Sequence, residues 1–153
     1  MLKYFVLLGV VLVAAGIAWV RLAPSDPARW HVDPLSAEPP GDSGVLLTPD
    51  AAGGGAPVYE VPAEELLAAF DRFVTEQPRV TRLAGGAGEG RVTYVARTKW
   101  VGFPDYVTVE AVPLGEDRAT LAILSRQRFG QSDLGVNRKR VQGWLETFDP
   151  AAE

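Results

Sequence analysis

The sequence predicts an α+β domain: a two-layer fold with an antiparallel sheet, in the order strand, helix, four strands, helix, preceded by one transmembrane helix. Three observations predict it. Residues 91–126 hold three strand-like runs, the first two alternating with period two, separated by short turns. The stretches 62–77 and 132–148 carry apolar residues at helical spacing. Residues 4–20 carry no charge at all.

The uncharged run Tyr4–Val20 lies between Lys3 and Arg21. At about 1.5 Å per residue it is roughly 26 Å long, and Leu2 and Leu22 extend it to nearly the hydrocarbon thickness. Tyr4 and Trp19 stand where interfacial aromatics belong. No polar face exists along it, which argues against a core helix. The expected role is an uncleaved anchor over residues 1–22. A cleaved signal peptide, with Gly16 and Ala18 near its end, is the alternative. Lys3 and the terminal amine favour a cytoplasmic N-terminus, while Arg21 and Arg29 oppose them. The expected location is membrane-anchored, with the domain on the extracytoplasmic side.

Residues 23–56 are dense in proline and glycine and predict a tether, stiff at Pro39–Pro40 and flexible at Gly53, Gly54 and Gly55. "ARWHVDPL" interrupts it with Trp30, His31, Val32 and Leu35, which either dock on the domain or lie at the membrane surface. His31 has no evident partner nearby.

The domain is expected over residues 57–149. "PVYEV" reads as its first strand. "PAEELLAAFDRFVTEQ" follows as a helix, with Pro62 in its first turn, Glu64 and Glu65 complementing the dipole, and Leu66, Phe70, Phe73 and Val74 on one face. "RVTRLAG" is a strand candidate before the "GAGEG" turn. In "RVTYVART", Val92, Tyr94 and Ala96 take one face and Arg91, Thr93, Val95 and Arg97 the other. "KWVGFPD" turns, with Pro104–Asp105 as its corner. "YVTVEAV" sets Val107, Val109 and Ala111 against Tyr106, Thr108 and Glu110. "ATLAILSR" sets Ala119, Leu121, Ile123 and Ser125 against Thr120, Ala122, Leu124 and Arg126. The last helix starts near Ser132 or Asp133, either of which can cap it, with Leu134, Val141, Trp144, Leu145 and Phe148 as its apolar stripe. Phe70, Leu121, Ile123, Trp144 and Leu145 are expected to share one core. Short turns imply a meander, and two helices covering one face of it complete the layers. TATA-binding-protein-like folds and, with additions, helix-grip folds use this order, a likeness that carries no function.

Composition removes several classes of function. The 153 residues have a net charge of -4, and no dominant basic face points to nucleic acid. With no cysteine and one histidine, the chain has no disulfide, thiolate nucleophile or multi-histidine zinc site. No metal or cofactor is expected.

The candidate site is "SRQRFGQSDLGVNRKR", Ser125–Arg140. As an anion site, Arg126, Arg128, Arg138 and Arg140 would converge on the backbone N–H groups near Ser132 and Asp133, with Asn137 beside them. In the alternative reading the run is architecture. Asp133 is itself the anion, Gly130 and Gly135 permit a tight passage, Asn137 satisfies backbone, and Glu110 neutralises Arg126 or Arg97. No catalytic residue is assigned; Asp133 beside Ser132 or Ser125 is a thin nucleophile–base pair. In "KWVGFPDY", Trp100 and Phe103 form an apolar tip that either caps the core or meets a ligand or membrane.

The "G-F-P-D" element, Gly102–Asp105, and the run "S-R-x-R-x-G-x-S-D-x-G-x-N-R-x-R" resemble the domain of unknown function 1499 family, DUF1499. The likeness covers roughly residues 57–148, and "WHVDP" also looks familial. It implies no agreed activity, and it implies that an N-terminal hydrophobic segment is common among bacterial members. The expected function is non-enzymatic binding of a lipid-like or small anionic ligand near the membrane. A scaffold for a membrane-protein complex and an envelope lipid or polysaccharide hydrolase are the alternatives. No protein partner is indicated.

Overall fold

The computed structural model describes residues 1–50 and 55–151. Its elements are helix α1 (Leu2–Leu22), the single turn α2 (Pro27–Trp30), strand β1 (Gly44–Leu47), helix α3 (Ala63–Thr75), strands β2 (Val80–Gly86), β3 (Arg91–Arg97), β4 (Pro104–Pro113) and β5 (Ala119–Gln127), and helix α4 (Val136–Thr147). The five strands form one antiparallel sheet in the order β1-β5-β4-β3-β2. The domain is α+β, and its order of strand, helix, four strands, helix is the one expected.

The first strand is not where its sequence pointed. In "PVYEV", Tyr59 makes one bridge to Ala119, with N–H···O distances of 2.8 and 3.0 Å. Pro57 and Pro62 bracket it and deny the segment a longer ladder. The edge strand is instead "GVLL", inside the stretch read as a tether. Gly44 allows it: a Cβ there would lie 2.0 Å from the Ser125 carbonyl oxygen. Four residues between proline-rich flanks suffice for an edge. Gly53 and Gly54, expected to be the flexible part of the tether, lie outside the described residues.

Strand alternation decides what each face buries. Val92, Tyr94, Ala96, Val107, Val109, Leu121 and Ile123 face α3 and α4. There Phe70 meets Trp144 and Phe148 edge to face, at 6.4 and 4.9 Å between ring centroids. Phe70, Leu121, Ile123 and Trp144 share this core, and Leu145 packs against it half-buried. Asp71 of α3, also buried, accepts hydrogen bonds from the Tyr94 hydroxyl (3.0 Å) and from Arg82, which pins the helix to the sheet.

The opposite face is covered as well. Trp30 lies flat on Tyr106, with centroids 3.8 Å apart and planes 9° from parallel. Trp30 and Pro34 are buried, so "ARWHVDPL" docks on the sheet. This is why Thr93 and Thr108 are buried on a face that the alternation alone would leave wet; Thr120, farther along β5, is buried too and donates to the carbonyls of Ala56 and Pro57.

Two local differences bear on the site. Pro104 and Asp105 open β4 opposite Arg97 and Ala96, and the turn is residues 98–103. Proline at a strand's first residue has no ladder bond to lose. Leu134 lies outside α4 and is 86 % exposed; it is not part of the apolar stripe.

Candidate functional site

β5 divides the basic run between two faces. Ser125 points towards α4, where its hydroxyl donates to Asn137 Oδ1 at 2.5 Å. The same oxygen accepts from Arg140 Nη1 at 2.7 Å, and Arg140 Nη2 donates to Asp105 Oδ2 at 2.8 Å. Asn137 is fully buried, and this chain fastens β4, β5 and α4 together. Burial raises the Asp105 pKa, Arg140 opposes the rise, and the charge of Asp133 adds to it.

Arg126 and Arg128 point the other way. The Arg126 guanidinium stands over the Trp30 ring at 4.9 Å and is within 3.4 Å of the Arg29 and Trp30 carbonyls. Burial, and then the neighbouring Arg29, lower its pKa. Arg128 donates to the carbonyl of Pro24 at 2.8 Å and to the Tyr106 hydroxyl at 3.1 Å. It thereby holds the chain just beyond α1.

α4 starts at Val136, later than the sequence places it; its N-cap is Gly135, with a left-handed backbone (φ 78°), and Asp133 lies just ahead of it. Its carboxylate accepts from the N–H groups of Gly135 (2.8 Å) and Asn137 (2.9 Å). Burial pushes its pKa up, but those hydrogen bonds and Arg140 outweigh burial and the net shift is down. The Ser132 hydroxyl accepts from the Leu134 N–H at 3.3 Å. Arg138 is exposed and has no ion-pair partner among the described residues. The residues singled out in the sequence thus divide into a cap (Ser132, Asp133), a buried network (Asn137, Arg140) and a clamp on the N-terminal segment (Arg126, Arg128).

A different set of cations does gather. Arg79 precedes β2 and Arg97 ends β3, and the Arg97 N–H donates to the Arg79 carbonyl at 3.0 Å. With Lys99 they line a cleft of about 400 Å³ that reaches Arg140 and Trp144. The same three side chains line an adjoining cleft of about 320 Å³, which Arg21 of α1 completes. Among the described residues, Arg21, Arg79, Arg97 and Lys99 have no carboxylate within 4.0 Å. Arg97 donates to the Gly102 carbonyl at 3.0 Å, and Arg21 donates to the Val101 and Trp100 carbonyls at 2.8 and 3.1 Å. Guanidinium and ammonium groups arranged so suit a phosphate or carboxylate.

Thr98 borders both basic clefts and a third of about 310 Å³, whose walls include Phe103, Phe129, Leu134 and Val136. Gln127 Nε2, a buried donor without a hydrogen-bond partner among the described residues, belongs to a residue that lines that third cleft. At the loop's end Trp100 is 83 % exposed and Phe103 37 %. The basic cluster escaped sequence reading because its members are far apart in the chain. Its signal was the hairpin: Arg79 and Arg97 stand symmetrically about the 87–90 turn, so pairing β2 with β3 must bring them together.

His31 does have a partner. Thr108 Oγ1 donates to the Trp30 carbonyl (3.1 Å), so it accepts from Thr93 Oγ1 (2.9 Å), which in turn accepts from His31 Nδ1 (2.8 Å). The chain of donors fixes the proton of the neutral ring on Nδ1.

These features define a class: an α+β domain joined to an apolar N-terminal helix, with a basic cleft where the two meet. Residues 32–148 match the family DUF1499, described as a protein of unknown function, and the chain belongs to that family. The match starts at Val32 and so includes the edge strand β1. A search of curated proteins gives no match.

Proposed function

We propose that this is a membrane-anchored, non-enzymatic binding protein for a phosphate-bearing ligand of the bilayer surface. Residues 1–22 act as the anchor, and the domain lies on the extracytoplasmic side. One observation carries the reading: Arg21, Arg79, Arg97 and Lys99 line one opening with no carboxylate partner among the described residues, at the point where an apolar helix of 21 residues ends. Like charges gathered without a counter-ion repel one another, and an anion relieves that repulsion. The order β1-β5-β4-β3-β2 supports the finer likeness to TATA-binding-protein-like and helix-grip folds. Aromatic side chains pack between the helices and the sheet, which favours the end cleft over the interior as the ligand's site.

The test uses full-length protein in phosphatidylcholine nanodiscs and follows thermal unfolding. One arm adds inorganic phosphate or glycerol phosphate, and the other builds phosphatidic acid into the disc. A ligand at about a hundredfold its Kd stabilises by roughly 2.7 kcal/mol. A rise in the first arm identifies a soluble phosphate. A rise in the second arm alone identifies a lipid headgroup. No rise in either, or an equal rise in the Arg79→Gln, Lys99→Gln double variant, rejects the cleft as the site.

A further inference from the structure

Among the described residues, the non-glycine residues with a left-handed backbone are Arg79 (φ 63°) and Leu134 (φ 52°). That conformation strains any residue with a Cβ, and packing does not offset the strain at Leu134, which is 86 % exposed. Strain held outside the core marks a position to be explained by function. Leu134 shares the rim of one cleft with Phe103 and Phe129. Phe129 meets the Trp19 ring of α1 at 5.5 Å and the Phe103 ring at 6.2 Å. The last turn of α1 also grips the β3–β4 loop, since Arg21 donates to the carbonyls of Trp100 and Val101. Arg128 holds Pro24, and the Ser25 hydroxyl lies 2.7 Å from that of Tyr106. The domain therefore does not hang from α1 on a loose tether. The helix end and the Trp100 loop are held at the same level.

We infer that Trp100 and Leu134 are a bilayer-contact surface, seated in the interfacial layer of the leaflet at which α1 ends. The partner is a phospholipid leaflet. Two features favour it over a protein. The apolar helix that reaches this spot must leave the hydrocarbon near Leu22, which brings headgroups to the loop beside it. The composition of the patch is also interfacial: an exposed tryptophan whose ring centre lies 5.2 Å from the Lys99 ammonium and whose carbonyl Arg21 holds, cations whose charged ends suit phosphates while their stems suit apolar groups. The inference rests on the anchor half of the proposed function and not on a bound ligand. A zwitterionic leaflet is enough.

The test uses full-length protein in phosphatidylcholine nanodiscs whose acyl chains carry bromine near the headgroup. Trp30 and Trp144 are 5 % and 7 % exposed, whereas Trp19 and Trp100 are 66 % and 83 % exposed. Trp100→Phe should therefore lose about half of the bromine quenching of the parent, the rest belonging to Trp19. Because the chain has no cysteine, Leu134→Cys accepts a single fluorescent label, and Asp117→Cys, in the turn at the far end of β4, serves as the water-facing control. The label at 134 should be quenched by bromine and the label at 117 should not. Equal quenching of parent and Trp100→Phe overturns the inference, as does a label at 134 that behaves like the one at 117. Arg79→Gln should leave both readings unchanged, so loss of phosphate binding and loss of leaflet contact are told apart. Failure of the parent to enter nanodiscs would sink the anchor and this inference together.

Discussion

Arg140 of α4 reaches Asp105 of β4 across 2.8 Å, with the two side chains only 15 % and 7 % exposed. The pair sits where the last helix meets the start of a strand, and Asn137 and Ser125 extend it to β5. An ion pair this sheltered gives little net stability, because both ions lost water on the way in. It does fix where α4 starts, and with it the floor of the basic cleft that Arg140 borders.

Removing one partner should therefore hurt far more than the pair is worth. Arg140→Ala leaves a buried carboxylate unpaired, and denaturant titration at neutral pH should show a loss of about 3–5 kcal/mol. The folded pKa of Asp105 is already raised by burial, and without Arg140 it rises further. A group with a raised folded pKa holds its proton more tightly when folded. Its effect therefore destabilises as pH climbs from the ordinary carboxylate range through the folded value. The deficit of Arg140→Ala should shrink when the titration is repeated near pH 4, about the unfolded aspartate value.

Trp30 tests whether the segment before β1 belongs to the fold. It stacks on the Tyr106 ring, meets the Arg126 guanidinium and is 5 % exposed. Trp30→Ala should cost about 3–5 kcal/mol. It should also open Thr93 and Thr108 to water, which amide hydrogen exchange along β3 and β4 would report. A loss below about 0.5 kcal/mol would mean the segment only rests on the sheet.

The faces of β3, β4 and β5 were legible from their two-residue period, and each face is buried by something different, which is why apolar residues such as Val95, Ala122 and Leu124 also stand on the second face. Val92, Tyr94 and Ala96 go to the helices as the pattern requires, and Thr93 and Val95 go to Trp30. The same alternation set Ser125 against Arg126, and it puts Arg126 and Arg128 on the face away from α4, where they cannot converge on the start of that helix. The run invited a single site because it is contiguous in sequence, and in a strand contiguity separates neighbours. β1 was illegible for another reason. Four residues between prolines carry little periodicity, and their pairing depends on the absent Cβ of Gly44. The basic cleft needed the hairpin register, a long-range fact, before Arg79, Arg97 and Lys99 could be placed together.

Asp133 predicts the opposite pH behaviour from Asp105. Its folded pKa is lowered, so its cap is fully in force above the ordinary carboxylate range and fades as pH falls through the folded value. Asp133→Ala should cost about 0.5–2 kcal/mol at neutral pH, the range for losing a side chain that satisfies N–H groups at a helix start, here those of Gly135 and Asn137. The gap between parent and variant should close in acid. A gap that holds constant with pH would mean the two N–H bonds to the carboxylate do not govern the helix start.

Arg79 and Arg97 line the same clefts but differ in what else they hold. Arg97 closes the loop through its bond to the Gly102 carbonyl, whereas the Arg79 side chain is exposed and has no bond to another side chain among the described residues. Arg79→Glu should therefore leave the melting transition within about 0.5 kcal/mol of the parent. It should also abolish stabilisation by whichever phosphate source acts on the parent, because a reversed charge repels the anion that the cleft attracts. Arg97→Gln should weaken the ligand response and lower the melting point as well, since the Gly102 carbonyl loses a charged donor, worth about 1.5–3 kcal/mol. A ligand response that survives in Arg79→Glu would place the anion elsewhere, and one that vanishes only in Arg97→Gln would assign the effect to the loop rather than to charge.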